Sequence, residues 1–260
     1  MYNKIRKLIV KAAYEAKHGH IPSAFSIVEL LTVIHEMKEK DDVFILSKGH
    51  ACLALYSYLT VKGIIDETEL INFGKKGSIL GGHPDKNKIK EIYASTGSLG
   101  HGLPIAVGSA LAKKLKKNTN KVFCIIGDGE ANEGTIWESL AIASKLKLNN
   151  LYCIVDNNKS QNRSMPSLNL FDKFKAFGWE VIEIDGHDDT QIIKALTATH
   201  DTPVAIIANT IKGKGVSFME DDNNWHYRIP TADEVRQSAE VLGISPDQIQ
   251  LDGRKAITHG

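Results

Sequence analysis

Hydrophobic positions along this chain follow two rhythms. Over residues 5–16 they recur at helical spacing, as Ile5, Leu8, Ile9, Ala12 and Ala13, which predicts a helix with one apolar face. The pattern returns over Ser26–Met37, where Ser26 reads as an N-cap and Glu29 as its capping-box partner. A third helix is expected over His50–Val61, stopped by Lys62-Gly63, and a short fourth over Asp66–Phe73. From Gly74 to Gly102 the rhythm breaks, with glycines at 77, 81, 82, 97 and 100. A loop this long within a compact domain is usually functional. Leu103–Leu115 reads as a fifth helix, rich in small residues that suit close packing.

From Val122 onward the period changes. Apolar runs of strand length at Val122–Ile126, Leu151–Val155, Glu180–Ile184 and Val204–Ala208 alternate with helical stretches at Thr135–Lys145, Asn169–Phe177 and Asp189–Thr197. Apolar strands separated by helices imply an α/β fold: a doubly wound, mostly parallel sheet with helices on both faces. A last helix is expected over Ala232–Leu242. Neither a repeat nor a linker interrupts the pattern, so residues 1–260 read as a single domain.

Composition narrows the function by exclusion. With 42% hydrophobic and 24% charged residues and a net charge of +1, the chain gives no reason to expect a nucleic acid or an anionic membrane as partner. No apolar stretch is long enough to span a bilayer, and the N-terminus lacks a signal-peptide core. The three cysteines, Cys52, Cys124 and Cys153, sit in apolar stretches without close spacing. That argues against a disulfide framework or a zinc site and for a cytoplasmic setting.

The candidate chemistry gathers where strands end. Val122–Ile126 runs into Gly127-Asp128-Gly129, and thirty residues after Asp128 the next strand delivers Asp156-Asn157-Asn158. Ligands of open α/β sheets sit beyond the carboxyl ends of strands. A hard cation such as Mg²⁺ takes oxygen ligands there and often bridges phosphates. Gly127 and Gly129 let the backbone approach a phosphate closely. The pattern resembles the metal–diphosphate signature of thiamine diphosphate enzymes. Three histidines beside glycines, in Gly19-His20, Gly49-His50 and Gly82-His83, add groups suited to proton transfer and to hydrogen bonding with hydroxyls and phosphates.

Several further stretches occur together and in order. They are Gly19-His20 with Ser23, Ser26 and Glu29-Leu30-Leu31; Ile45-Leu46-Ser47-Lys48-Gly49-His50-Ala51; Gly82-His83-Pro84-Asp85; and Ala94-Ser95-Thr96-Gly97-Ser98-Leu99-Gly100. After Gly127-Asp128-Gly129 with Glu133-Gly134 come Ala176-Phe177-Gly178-Trp179-Glu180-Val181, Asp185-Gly186-His187 and Thr210-Ile211-Lys212-Gly213-Lys214-Gly215. Over nearly its whole length the chain resembles the N-terminal, thiamine diphosphate-binding half of transketolases.

That resemblance implies the thiamine diphosphate-binding fold of the diphosphate-binding type and transfer of a two-carbon ketol unit from a ketose or its phosphate to an aldose. It implies thiamine diphosphate and Mg²⁺ (or Ca²⁺ or Mn²⁺) as cofactors. Asp128, Asn158 and the backbone carbonyl of Ser160 match the metal ligands. His50, His226, Gly127 and the N–H of Gly129 match groups at the diphosphate. Gly97, Ser98 and Leu99 match the loop against the thiazolium ring. His20 and His83 match the histidines facing the sugar. Glu133 matches an acidic residue at the subunit interface that couples the paired cofactor-binding sites.

In the family a second domain supplies the glutamate that activates the cofactor. Glu234 and Asp247, in the terminal helix and tail, are poor substitutes for it. The resemblance therefore implies a split transketolase, inactive without a second chain carrying the C-terminal half, in a heterotetramer of two copies of each. Alternative readings are one chain of a deoxyxylulose-phosphate synthase-like or 2-oxoacid dehydrogenase alpha-like enzyme, or a regulatory relative. The Ser47–His50 and Gly82–Asp85 loops favour the transketolase reading. Three departures from the family bear on the sugar: Lys159-Ser160-Gln161-Asn162-Arg163-Ser164 after Asn158, His101 after the Ser-Leu-Gly loop, and Tyr227-Arg228 after His226. Arg228 reads as a charge able to meet a phosphate. A specialised sugar pathway is the expectation.

Overall fold

Five strands, β1 (Val43–Leu46), β2 (Val122–Gly127), β3 (Leu151–Asn157), β4 (Glu180–Asp185) and β5 (Val204–Asn209), form one parallel sheet in the order β1-β2-β3-β5-β4. The computed structural model describes residues 1–163 and 169–243; Ser164 and Asp247 lie outside the described residues. Ten helices surround the sheet among those residues: α1 (Tyr2–Ala16), α2 (Ile21–Phe25), α3 (Val28–Met37), α4 (Cys52–Val61), α5 (Glu67–Ile71), α6 (Gly102–Leu115), α7 (Gly134–Lys145), α8 (Leu170–Ala176), α9 (Asp189–Thr197) and α10 (Ala232–Val241).

The pleat sorts the core into two layers. Phe123, Ile125, Tyr152, Ile154, Val204 and Ile206 face a core shared with α1, α3, α4, α9 and α10. The alternate residues Val122, Cys124, Ile126, Cys153, Val155 and Ala205 face a second core with α6, α7 and α8. Because both faces are covered, the central strands are apolar up to their carboxyl ends, as the doubly wound expectation requires. Fully burying one such aliphatic side chain contributes roughly 1.5–3 kcal/mol.

Two features differ from the sequence reading. Residues 43–46 form the edge strand β1, where no strand is expected. Four consecutive apolar residues carry no period that separates strand from helix, and only pairing with Val122–Ile125 makes them a strand. The capping box at Ser26 and Glu29 does not form either. The chain breaks between α2 and α3, and Ile27 holds the N-cap position of α3 without a side-chain cap. Ser26 instead donates to the carboxylate of Asp156 at 2.7 Å. Glu29 is buried between Arg6 (2.7 Å) and Nδ1 of His187 (3.0 Å). A complete capping box stands at Thr231 and Glu234, opening α10.

Register places the functional loops side by side. Gly127 pairs with Asp156, Asp156 with Ala208, and Asn157 with Asn209. The loops that follow β2, β3 and β5 therefore leave the sheet at one level. Leu46 pairs with Ile125, so Ser47–His50 leaves beside them.

Candidate active site

A cleft of about 350 Å³ opens at this carboxyl edge, lined by His20, Ser23, Lys48, His50, His83, Gly97, Leu99, Gly127, Asp128, Gly129, Glu130, Asn158, Ser160 and His226. Of the residues that the resemblance assigns to metal, cofactor or sugar, Ser98 and Glu133 do not line it. Ser98 is exposed, with its hydroxyl 3.3 Å from Nδ1 of His101. Glu133 is exposed at the N-cap of α7, outside the cleft. Its Cβ lies under Gly100, so close that a side chain at Gly100 would meet it at 2.6 Å.

Beneath the cleft lies a buried polar network centred on Asp156, whose carboxylate is the end of an otherwise apolar strand. It accepts from the Lys48 ammonium, the Thr210 hydroxyl, Ser26 at 2.7 Å and the Asn158 amide at 2.9 Å. Lys48 is 1% and Asp156 0% exposed. A buried pair of this kind persists only when both ions are fully hydrogen-bonded. Lys48 also donates to the carbonyl of Ser23 at 3.2 Å. The network fixes Asn158: with Nδ2 held by Asp156, its Oδ1 is the free end and accepts the N–H of Ser160 at 3.1 Å. Lys159, between them, takes a left-handed φ of 59° that folds the chain back.

Asp128 is 3% exposed. Burial, and secondly the Asp156 charge, push its carboxyl above the usual range. Its oxygens accept from Gly129 N at 2.8 Å and Gln161 N at 3.4 Å. The Gly129 N–H assigned to a diphosphate by resemblance is thus engaged by Asp128 in this state. The Ser160 hydroxyl is buried without a hydrogen-bond partner among the described residues. Asp128, Asn158 and Ser160 together present a carboxylate, an amide and a backbone carbonyl, the hard oxygen donors that suit Mg²⁺, Ca²⁺ or Mn²⁺. No group of three His, Cys, Asp or Glu side chains among the described residues is arranged for a metal, so phosphate and water oxygens would have to complete any coordination sphere.

A second buried carboxylate, missed by the sequence reading as a site residue, braces the loops. Glu130 accepts from the Ser47 hydroxyl, from Gly100 N at 2.9 Å and from Gly127 N at 3.1 Å. It thereby ties the Gly97–Gly100 loop to the end of β2, and burial raises its pKa. Gly97, at φ 142°, lies so close to the His83 ring that a Cβ would meet it at 2.8 Å. Only glycine permits that approach.

The histidines form one cluster. The His20 ring is 5.2 Å from His50 and 5.9 Å from His226. Burial, followed by the neighbouring imidazoles of His226, His18 and His83 and the Lys48 ammonium, pushes His20 down to about 4. Burial, then Lys48, pushes His50 to about 2. His83 and His226 are also lowered, first by burial. All four are neutral near pH 7 and able to hydrogen-bond or to accept a proton. Lys212, 1% exposed, lies 2.9 Å from Nδ1 of His226. An ammonium can only donate, so the neutral His226 ring carries its proton on Nε2. Lys212 sets an ammonium beside His226, whereas the Lys48 ammonium is paired with Asp156. Arg228 is not part of the site, since its guanidinium stacks over Trp225 at 4.1 Å and pairs with Glu234 at 2.6 Å.

Lys48, Lys212, Asp156 and Glu130 carry this site, yet the sequence reading left them unassigned. The available signal was a charged residue ending or following an apolar run, which burial turns into an obligate partner.

Comparison with known proteins gives a consistent picture. Residues 1–252 match the family described as transketolase, thiamine diphosphate binding domain. One of the subunits of apulose-4-phosphate transketolase from Phocaeicola vulgatus is 38% identical over 267 aligned positions, spanning 96% of this chain and 95% of the relative. Transketolase of Homo sapiens is 39% identical over 241 positions, which cover 86% of this chain and 38% of the human protein. The crystal structure of transketolase from Campylobacter jejuni superposes with a TM-score of 0.88 at 30% identity, covering 95% of this chain and 42% of that one. The chain therefore spans about two fifths of the length of these transketolases and nearly all of the Phocaeicola vulgatus relative.

Proposed function

As the chain belongs to the transketolase family, in its thiamine diphosphate-binding domain, we propose that its cleft holds thiamine diphosphate and a divalent cation and serves transfer of a two-carbon ketol unit between sugars. The observation that carries this reading is the convergence, at one sheet edge, of a buried carboxylate and amide, two lysines and four neutral histidines. When bound, thiamine diphosphate supplies the nucleophilic carbon and the electron sink for breaking a carbon–carbon bond beside a ketose carbonyl.

The chain's own residues bind, orient and move protons. Asp128 and Asn158, through side-chain oxygens, and Ser160, through its carbonyl, would hold Mg²⁺. The buried Ser160 hydroxyl, without a hydrogen-bond partner among the described residues, and the elevated Asp128 carboxyl fit a bound cation. His50 and His226 would donate to the diphosphate, His226 from Nε2. Gly97 and Leu99 would pack on the thiazolium, with Ser98 behind them. His20 and His83, neutral and lining the same cleft, would exchange protons with substrate hydroxyl and carbonyl oxygens.

That the apulose-4-phosphate transketolase relatives are named as subunits supports a second chain that supplies the rest of the site; two copies of each chain are the assembly proposed. Sugars and sugar phosphates are the substrates on this reading. The three cysteines are free and buried, and no described helix is long and apolar enough to cross a membrane. The free, buried cysteines fit a reducing, cytoplasmic setting.

The test is co-purification of this chain with its partner, followed by thiamine diphosphate titration with and without Mg²⁺ and a donor screen. Mg²⁺-dependent binding and turnover of xylulose 5-phosphate or apulose 4-phosphate are expected. Turnover of pyruvate alone would move the assignment to a deoxyxylulose-phosphate synthase or a 2-oxoacid dehydrogenase. Lack of any cofactor binding would favour a regulatory relative.

A further inference from the structure

Tyr227 is 55% exposed, yet it is held at both ends. Its phenol oxygen lies 2.6 Å from Nδ1 of His18, and its ring centroid lies 4.8 Å from that of His20. His18 is itself fixed. Its ring stacks on Phe73 at 5.4 Å and 14°, and it crowds Gly82 so closely that a Cβ there would come within 2.8 Å of Nε2. The anchor of Tyr227 is therefore packed behind the turn that carries His83. A solvent-facing aromatic side chain ordinarily samples several rotamers, but this one is pinned at its tip and braced along its face. A rigid, two-torsion amphipathic side chain offers contact area at little entropic cost.

The contacts of Tyr227 also locate it. It meets His20 directly, and through His18 it adjoins Gly82 and the His83 turn. These are the turns assigned above to the sugar, whereas the metal-ligand candidates come from the loops after β2 and β3. Tyr227 is not itself among the cleft-lining residues; its ring stands beside His20, at the rim of the cleft.

We propose that Tyr227 is a specificity-determining residue whose ring, at the rim of the cleft beside His20, limits the length of sugar chain accepted there, favouring short aldoses. The inference rests on the reading of the cleft as a ketol-transfer site. The ring, rather than the hydroxyl, sets the limit, because a wall acts by volume. Ring contacts with His20 at 4.8 Å and His18 at 5.8 Å keep it in place without the hydroxyl.

The experiment compares acceptors with the two-chain holoenzyme, using hydroxypyruvate as donor throughout. The second-order constant kcat/KM is measured for glyceraldehyde 3-phosphate and ribose 5-phosphate in the wild type, Tyr227→Ala and Tyr227→Phe. Tyr227→Ala should raise the ratio of five-carbon to three-carbon acceptor about tenfold, the scale on which small pocket groups discriminate. Tyr227→Phe should leave that ratio within about twofold of wild type. An unchanged ratio in Tyr227→Ala, with both acceptors slowed in proportion, would mean a structural role only and overturns the proposal. An equal shift in Tyr227→Phe overturns it as well, by assigning selection to the hydroxyl. Absence of transfer by the wild-type holoenzyme overturns the functional reading itself, a result distinct from an unchanged ratio.

Discussion

The side-chain amide of Asn158 donates to the carboxylate of Asp156 at 2.9 Å, and this bond decides which end of that amide faces the cleft. Asp156 is held in turn by Lys48, Ser26 and Thr210. Asp156→Asn would leave the Lys48 charge without its counter-ion and let the Asn158 amide turn over. Breaking one side of a buried ion pair costs about 3–5 kcal/mol. The urea midpoint should fall accordingly. In the fraction that stays folded, Mg²⁺-dependent thiamine diphosphate affinity should drop by about tenfold, the usual effect of losing an outer-shell partner. Wild-type affinity in a folded Asp156→Asn protein would mean that something else orients Asn158.

Asp128 is the one carboxylate assigned to the cation. Asp128→Ala should remove the Mg²⁺ dependence of cofactor binding and leave the thermal midpoint near or above that of the wild type, because it deletes a buried acid whose charge is disfavoured. Calorimetric titration of the complex checks this. Unchanged Mg²⁺-dependent affinity would sink the metal assignment.

Glu130 braces three loop segments through Ser47, Gly100 and Gly127. Glu130→Ala leaves those donors buried without an acceptor, at about 1–3 kcal/mol for each unsatisfied group. A loss of several kcal/mol is expected, visible as a large drop in thermal midpoint. Glu130→Gln, which keeps one acceptor oxygen, should lose less. Equal losses in the two variants would show that charge, not hydrogen bonding, is what Glu130 supplies.

Stability should fall with acid. His35, packed against Phe44 and Tyr58 with Nδ1 2.9 Å from the Leu31 carbonyl, is pushed to about 4 by burial. His20 is lowered to a similar value. A histidine with a depressed folded pKa binds its proton in the unfolded chain first. Its stabilisation is therefore intact above about 6.5 and is lost as pH falls toward 4. Asp128 and Glu130, raised by burial, act in the opposite sense, near and above the ordinary carboxyl range. His35→Gln isolates one contribution away from the cleft. Between pH 7 and 5 it should lose about 1–2 kcal/mol less than the wild type, allowing for the partial exposure of His35. Parallel pH profiles of urea midpoints for the two proteins would refute this.

Much of the fold was legible because its signals are local. The 3.6-residue period of Ile5–Ala13, the apolar runs at Val122 and Leu151 and the Gly127-Asp128-Gly129 corner each lie within a few residues, and helix and strand periodicities act over that range. So did the glycine-flanked histidines, whose turns need the residues beside them. Other features had no local signature. Val43–Leu46 is a strand only because β2 lies beside it. Ser26 left its expected cap because Asp156, 130 residues away, offered a buried acceptor. Lys48 meets Asp156 across 108 residues, Ser47 meets Glu130 across 83, and His18 meets Tyr227 across 209. By itself the sequence determined the alternation of elements, the family and the residue types available for chemistry. Only the tertiary structure decided which charges are buried and so must be paired, which loops leave the sheet at one level, and which ring stands over His20. Those outcomes depend on strand register and on exclusion of water, which arise when distant segments pack and which no window of neighbouring residues contains.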